Sequence, residues 1–105
     1  MRRWTVKDRQ DREVYLTEER WEHILSKHTE LTGRLNDVLD AIRLGKRRQS
    51  KQDPNTFLYS RRNEALPVPY NMIIVCVAFR QQRGTDIFQT TDNNFVTTAW
   101  GEVAG

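Results

Sequence analysis

The order of apolar and polar positions divides the chain into two helical stripes followed by a run of strands. The clearest stripe lies in Leu16 to Leu31, LTEERWEHILSKHTEL, where Trp21, Ile24, Leu25 and His28 fall at i, i+3, i+4 and i+7 on one helical face. Glu19, Arg20, Glu22, His23 and Lys27 lie mostly off that face. Thr17 suits an N-cap, and Glu18 and Glu19 suit the first turn, where the helix dipole favours negative charge. Leu16 before the cap and Trp21 after it match a hydrophobic staple. These signals predict a helix over about Thr17 to Thr29, with His28 directed at the core or its edge and His23 wetter. Thr32-Gly33 breaks the pattern. Leu35, Val38, Leu39 and Ile42 then give a second stripe, with Gly45 as its stop.

Period-two patterning flanks this pair. Arg3 to Val6 and Glu13 to Leu16 bracket a polar turn, Asp8 to Asp11, and predict a hairpin with Trp4 and Val6 on one face. After the helices, Lys46 to Gln52 reads as an edge strand or a loop, and Asp53-Pro54-Asn55 as a turn. Thr56 to Arg62 has strand composition, with Phe57, Tyr59 and Arg61 on one face and Leu58, Ser60 and Arg62 on the other. Pro67 and Pro69 mark a loop. Met72 to Phe79, MIIVCVAF, predicts a central strand covered on both faces. Gln81 to Thr85 reads as a loop, Ile87 to Thr90 as a short strand and Asp92-Asn93-Asn94 as a turn. Phe95 to Trp100 is the last strand, and Gly101 to Gly105 a frayed tail. Helices followed by strands, without alternation, predict one α+β domain with an antiparallel sheet over residues 1–105.

Composition narrows the class. A chain of 105 residues has room for one modest core. Its 37% apolar and 30% charged residues suit a soluble protein, and no apolar run approaches a membrane span. A single cysteine, Cys76, excludes an intramolecular disulfide, and with no secretory leader in MRRWTVKD the expected location is the cytoplasm. Charge is unevenly spread. Residues 1–45 carry nine Lys/Arg and nine Asp/Glu, residues 46–83 eight against two, and residues 84–105 none against three. The middle segment, at +6, is a candidate surface for a polyanion, with solvated surface as the plainer alternative.

Several chemistries find no support. His23 and His28 are about 140° apart around a helix, and no HExxH or paired-cysteine spacing exists. No phosphate-binding loop, dinucleotide fingerprint or serine triad is present. No metal or cofactor is expected. What remains is histidine, arginine and hydroxyl in a basic domain, a set that suits metal-independent RNA cleavage. There the ribose 2′-hydroxyl attacks its adjacent phosphate, which requires a base, an acid for the leaving 5′-oxygen, and donors for the phosphate charge. Histidine titrates in the useful range, and the arginine fork matches phosphate geometry. Each residue also has an ordinary role. His28 can be a satisfied core-edge histidine, Arg61 and Arg62 can be exposed on an edge strand, and Tyr59 and Trp100 can be simple packing.

The segment VYLTEERWEHILSKHTEL resembles the opening of small phage- and toxin-associated domains of the barnase–EndoU–colicin–RelE class of nucleases. The likeness continues through the helix spacing of Val38-Leu39-Asp40-Ala41-Ile42, the Asp53-Pro54-Asn55 turn, Tyr59-Ser60-Arg61-Arg62 and the closing Thr98-Ala99-Trp100. It implies an N-terminal hairpin and two helices packed on a four-stranded antiparallel sheet, with an RNase-like site. By position it implies His28, Arg61 or Arg62, and Thr98 as catalytic residues, with His23 at the family's other histidine. Lys46, Arg47, Arg48, Lys51, Tyr59, Arg62 and Trp100 are the candidate RNA-binding residues. The expected activity is a metal-independent endoribonuclease acting as a toxin or phage-defence effector. RNA is the expected partner, an antitoxin or immunity protein the implied neutraliser, and no membrane is involved. The alternatives are a non-catalytic RNA-binding module and a protein-interaction domain.

Overall fold

In the computed structural model, which describes residues 2–83 and 90–105, an N-terminal hairpin joins the sheet that the later strands build. Strands β1 (Arg3–Lys7) and β2 (Glu13–Thr17) pair antiparallel, with Trp4 opposite Leu16 and Val6 opposite Val14. Helices α1 (Glu18–Lys27) and α2 (Leu35–Leu44) follow, separated by one 3₁₀ turn at Thr29–Leu31. Then come β3 (Lys46–Gln49), β4 (Thr56–Arg62), β5 (Met72–Arg83) and β6 (Thr90–Glu102). The strand order is β1-β2-β6-β5-β4-β3.

The general α+β expectation holds, but the sheet is not four-stranded and antiparallel. It has six strands and is mixed. β2 lies parallel to β6 through the Tyr15–Phe95 bridge, which draws the hairpin into the sheet. Lys46 to Gln49 takes the outer edge beside β4, as an edge strand rich in charge can.

The start of α1 and the stop of α2 fall where the sequence marks them, but α1 ends at Lys27, short of the expected Thr29, with His28 as its C-cap. The Thr17 hydroxyl accepts the Arg20 backbone N–H at 3.1 Å, closing the first turn of α1. Gly33, at φ +77°, makes the turn between the helices. The Gly45 N–H closes α2 on the Ala41 carbonyl.

Both helices lie on one face of the sheet. Trp21, Ile24, Leu31, Val38, Leu39, Ala41 and Ile42 meet the inward rows of Val6, Val14, Leu16, Tyr59, Ile73, Val75, Val77, Val96 and Ala99. Successive strand residues alternate between faces, so Leu58, Ser60, Ile74, Cys76, Ala78, Thr98 and Trp100 belong to the other, helix-free face. The expected double cover of β5 is therefore only half made by helices. Ile74 and Ala78 are nonetheless buried at 3% and 2% exposure, sheltered by neighbouring side chains rather than a second layer.

Three polar stretches differ from expectation. β5 continues through Gln81 to Arg83, and Asp92 to Asn94 lies inside β6 rather than in a turn, because the two strands stay in register from Phe79–Asn94 out to Arg83–Thr90. A long antiparallel ribbon satisfies its backbone across the ladder and needs no apolar face, so polarity misled. The expected tail is not frayed: β6 reaches Glu102, and Asn71 grips Ala104 through both its backbone groups at 3.0 and 2.7 Å. Residues 84–89, and with them the rest of the predicted loop and most of the predicted Ile87–Thr90 strand, lie outside the described residues. No helix is long and apolar enough to cross a membrane among the described residues.

Candidate nucleic-acid interface

The basic middle segment is split between the two faces by the pleat. Arg48, which pairs with Leu58, stands on the helix-free face. With Lys51, Ser50, Gln52, Thr56, Leu58, Cys76 and Trp100 it lines a cleft of about 380 Å³. Among the described residues no acid lines this cleft and neither cation makes an ion pair, although Glu102 accepts the Trp100 indole N–H at 3.4 Å. Thr98 sits beside it, opposite Cys76 in the ladder. A bulge between Cys76 and Val77 shifts the register here, and the Thr97 hydroxyl donates to the Cys76 carbonyl at 3.3 Å. Burial pushes the Cys76 thiol up, which leaves it a packed hydrophobe rather than a nucleophile. Arg62 also belongs to this face, where it pairs with Glu64 at 2.9 Å in an exposed contact.

The far side of the same face carries an aromatic and cationic row. The Arg3 guanidinium lies 4.0 Å above the Tyr15 ring, and Tyr15 and Phe95 have centroids 6.1 Å apart. Tyr15, Thr17, Arg20, Asn93, Phe95 and Val96 line a depression where α1 begins. Thr17 and Arg20 also border the hollow lined by Glu19 and His23. His23 is exposed on α1 and shares that hollow with Arg20.

The other expected residues lie on the helix side. His28 caps the C-terminus of α1, and its Nδ1 lies 3.7 Å from Glu30, whose Oε2 accepts the Gly101 N–H at 2.8 Å. Arg61 faces α2, with its Nη1 3.9 Å from the Asp40 carboxylate. Tyr59 is 1% exposed and offers no surface to a base. Arg47 stacks on Phe57 at 3.5 Å and donates from Nε to the Tyr59 oxygen at 3.1 Å. Lys46 is the exception: it pairs with Ser60 at the outer edge and by alternation belongs to the helix-free face, while also bordering the hollow beside Arg47 and Gly45. The structure thus gathers Arg48, Lys51, Trp100 and Thr98, leaves Arg62 on the same face, and keeps His28, Arg61, Arg47 and Tyr59 apart from them.

Sequence reasoning missed Asp8, which organises the helix-side cluster. Its Oδ1 accepts the Gln10 and Arg12 backbone N–H groups at 2.9 and 3.0 Å. Its Oδ2 accepts Arg12 Nε at 2.8 Å and the Tyr59 hydroxyl at 2.7 Å. Burial opposes the Asp8 charge, but the bonds from Tyr59, Arg12 and Gln10 outweigh it and hold the carboxyl below the usual aspartate range. Burial and the Asp8 bond push Tyr59 up to about 12, against the opposing pull of Arg47, so it stays a neutral donor. The Asp8-Arg9-Gln10-Asp11 turn carried a local signal, an aspartate accepting from the backbone two residues on, but nothing in it announced Tyr59.

No protein-family model, curated protein or solved structure matches this chain.

Proposed function

We propose that this chain is a metal-independent endoribonuclease that lays single-stranded RNA across the helix-free face of its sheet. The observation that carries the reading is the Arg48–Lys51–Trp100 cleft: two cations, hydroxyls and an indole, with no ion pair to either cation and no lining acid among the described residues. Cations meet phosphates in any sequence, and an aromatic face accepts any base. Tyr15, Phe95 and Arg20 extend the same chemistry toward α1. The resemblance of the α1 segment to nuclease domains supports cleavage over binding alone.

His23 is the histidine that shares a hollow with Arg20 in this reading, and His28 lies on the helix side beside Glu30. His23 takes the proton of a ribose 2′-hydroxyl. The 2′-oxygen then bonds to phosphorus, the bond to the 5′-oxygen breaks, and the departing oxygen takes a proton from water. Arg20 and Thr98 supply donors for the phosphate charge. The products are a 2′,3′-cyclic phosphate and a free 5′-hydroxyl.

The test is cleavage of labelled single-stranded RNA in excess EDTA by wild type, His23→Ala and His28→Ala. Cyclic-phosphate products from wild type, reduced about 10²–10⁴-fold in His23→Ala, are expected. A loss confined to His28→Ala moves the chemistry to the helix side. A second reading, RNA binding without cleavage, is favoured by one fact: neither histidine lines the Arg48–Lys51–Trp100 cleft. Intact RNA with salt-sensitive binding selects it. An antitoxin or immunity protein that covers the open face remains part of the nuclease proposal, tested by its ability to protect Trp100 from oxidation.

A further inference from the structure

A second cleft, of about 590 Å³, opens beneath the β1–β2 turn on the helix side. It is lined by Asp8, Arg9, Gln10, Arg12, Gly45, Lys46, Arg47 and Tyr59. Its acid is already spent. Asp8 accepts four hydrogen bonds on two oxygens, about as many as a carboxylate can take, and its side chain is 2% exposed. It cannot also neutralise the remaining cations.

Those cations are held in place and left half used. Arg12 donates to Asp8 from Nε, and Arg47 donates to Tyr59 from Nε. Arg47 is further fixed between Phe57, at 3.5 Å, and Phe79, at 4.6 Å. Arg47 Nε also lies 3.9 Å from Asp8 Oδ2, but no Nη atom of either arginine bonds a described residue, and both arginines line the cleft. Arg9 and Lys46 add two exposed charges. Among the described lining residues, four cations against one saturated carboxylate leave an excess of three positive charges.

We propose that this cleft binds a phosphate monoester, carried by a nucleotide or by another small phosphorylated molecule. Two pre-set arginine forks match the edges of a tetrahedral dianion. A monoanionic carboxylate leaves more of the excess charge unmet. The volume lies within the range of small-molecule sites, so the cleft holds a group beyond the phosphate itself. This site stands independently of the RNA reading, since it shares no lining residue with the open-face cleft.

Calorimetric titration of the full chain tests it, with inorganic phosphate, adenosine monophosphate, glucose 6-phosphate and glutamate as probes. Saturable one-to-one binding of phosphate is expected. Arg9→Gln combined with Lys46→Gln, both exposed, should weaken it about tenfold or more without moving the unfolding midpoint. Arg48→Gln combined with Lys51→Gln should leave it unchanged, which separates this site from the RNA cleft. Tighter binding of the nucleotide identifies a nucleotide ligand, and tighter binding of the sugar phosphate the other source. Absence of saturable phosphate binding overturns the proposal. So does phosphate affinity unaltered by Arg9→Gln with Lys46→Gln, or glutamate bound more tightly than phosphate.

Discussion

The two faces of the sheet treat charge in opposite ways. On the helix side, the acids near the strands have fixed partners: Asp8 takes four hydrogen bonds, Glu30 holds the Gly101 N–H, and Asp40 is approached by Arg61. On the open side, Arg48 and Lys51 border a cleft that no acid among the described residues lines. A buried charge must be paired, because desolvation costs more than any surface contact returns. An exposed cation has no such demand, and clustering several costs only a modest repulsion at physiological salt. One face is therefore built around its partnered carboxylates, and the other carries exposed cations. That contrast predicts where substitutions will unfold the protein and where they will only silence it.

The sharpest break in that contrast is Asp8→Ala. It strips four donors of their acceptor and leaves Arg12 and Arg47 facing each other, so about 3 kcal/mol or more of stability should be lost in urea unfolding at pH 7. The pH dependence follows from the lowered carboxyl of Asp8. The stability it contributes is fully present above the unfolded value near pH 4 and is lost as pH falls through the lower folded value. Asp8→Asn should thus flatten the acid limb of the stability curve. An unchanged acid limb removes Asp8 as its source.

Gly45→Ala comes next. A Cβ there would overlap the Ala41 carbonyl oxygen and lie 2.6 Å from that of Ser60, both backbone atoms. We expect a loss of about 2 kcal/mol, read by the same unfolding experiment. On the open face, Trp100→Ala should instead weaken single-stranded RNA binding about tenfold, measured by fluorescence anisotropy. Arg48→Gln with Lys51→Gln should make the slope of log affinity against log salt shallower by about 1.4, with the unfolding midpoint unchanged. RNA binding unaffected by all three open-face substitutions places the nucleic-acid surface elsewhere.

Most elements were legible because their signals are local. The α1 cap at Thr17, the α2 stop at Gly45 and the face alternation of Thr56 to Arg62 depend on neighbours a few residues away. The parallel β2–β6 contact was not legible, since one bridge between Tyr15 and Phe95 leaves no pattern in either segment. The ribbon of β5 and β6 was hidden by its own polarity. For the candidate site, residue types were readable and their grouping was not. Parity separates Arg61 from Arg62 and Arg47 from Arg48, but which partner faces solvent depends on where the helices pack. Asp8 was missed for the same reason: its decisive partner, Tyr59, is 51 positions away.

The parallel junction of β2 with β6 also sets an order of events during synthesis. Helices α1 and α2 and the β3–β4 pair draw on contacts close in sequence and can form as the chain emerges. The hairpin that opens the chain has no sheet to join until Phe95 has been made. The open face takes Arg3 and Tyr15 from one end of the sequence and Phe95 and Trp100 from the other. An unfinished chain on the ribosome therefore does not possess that surface.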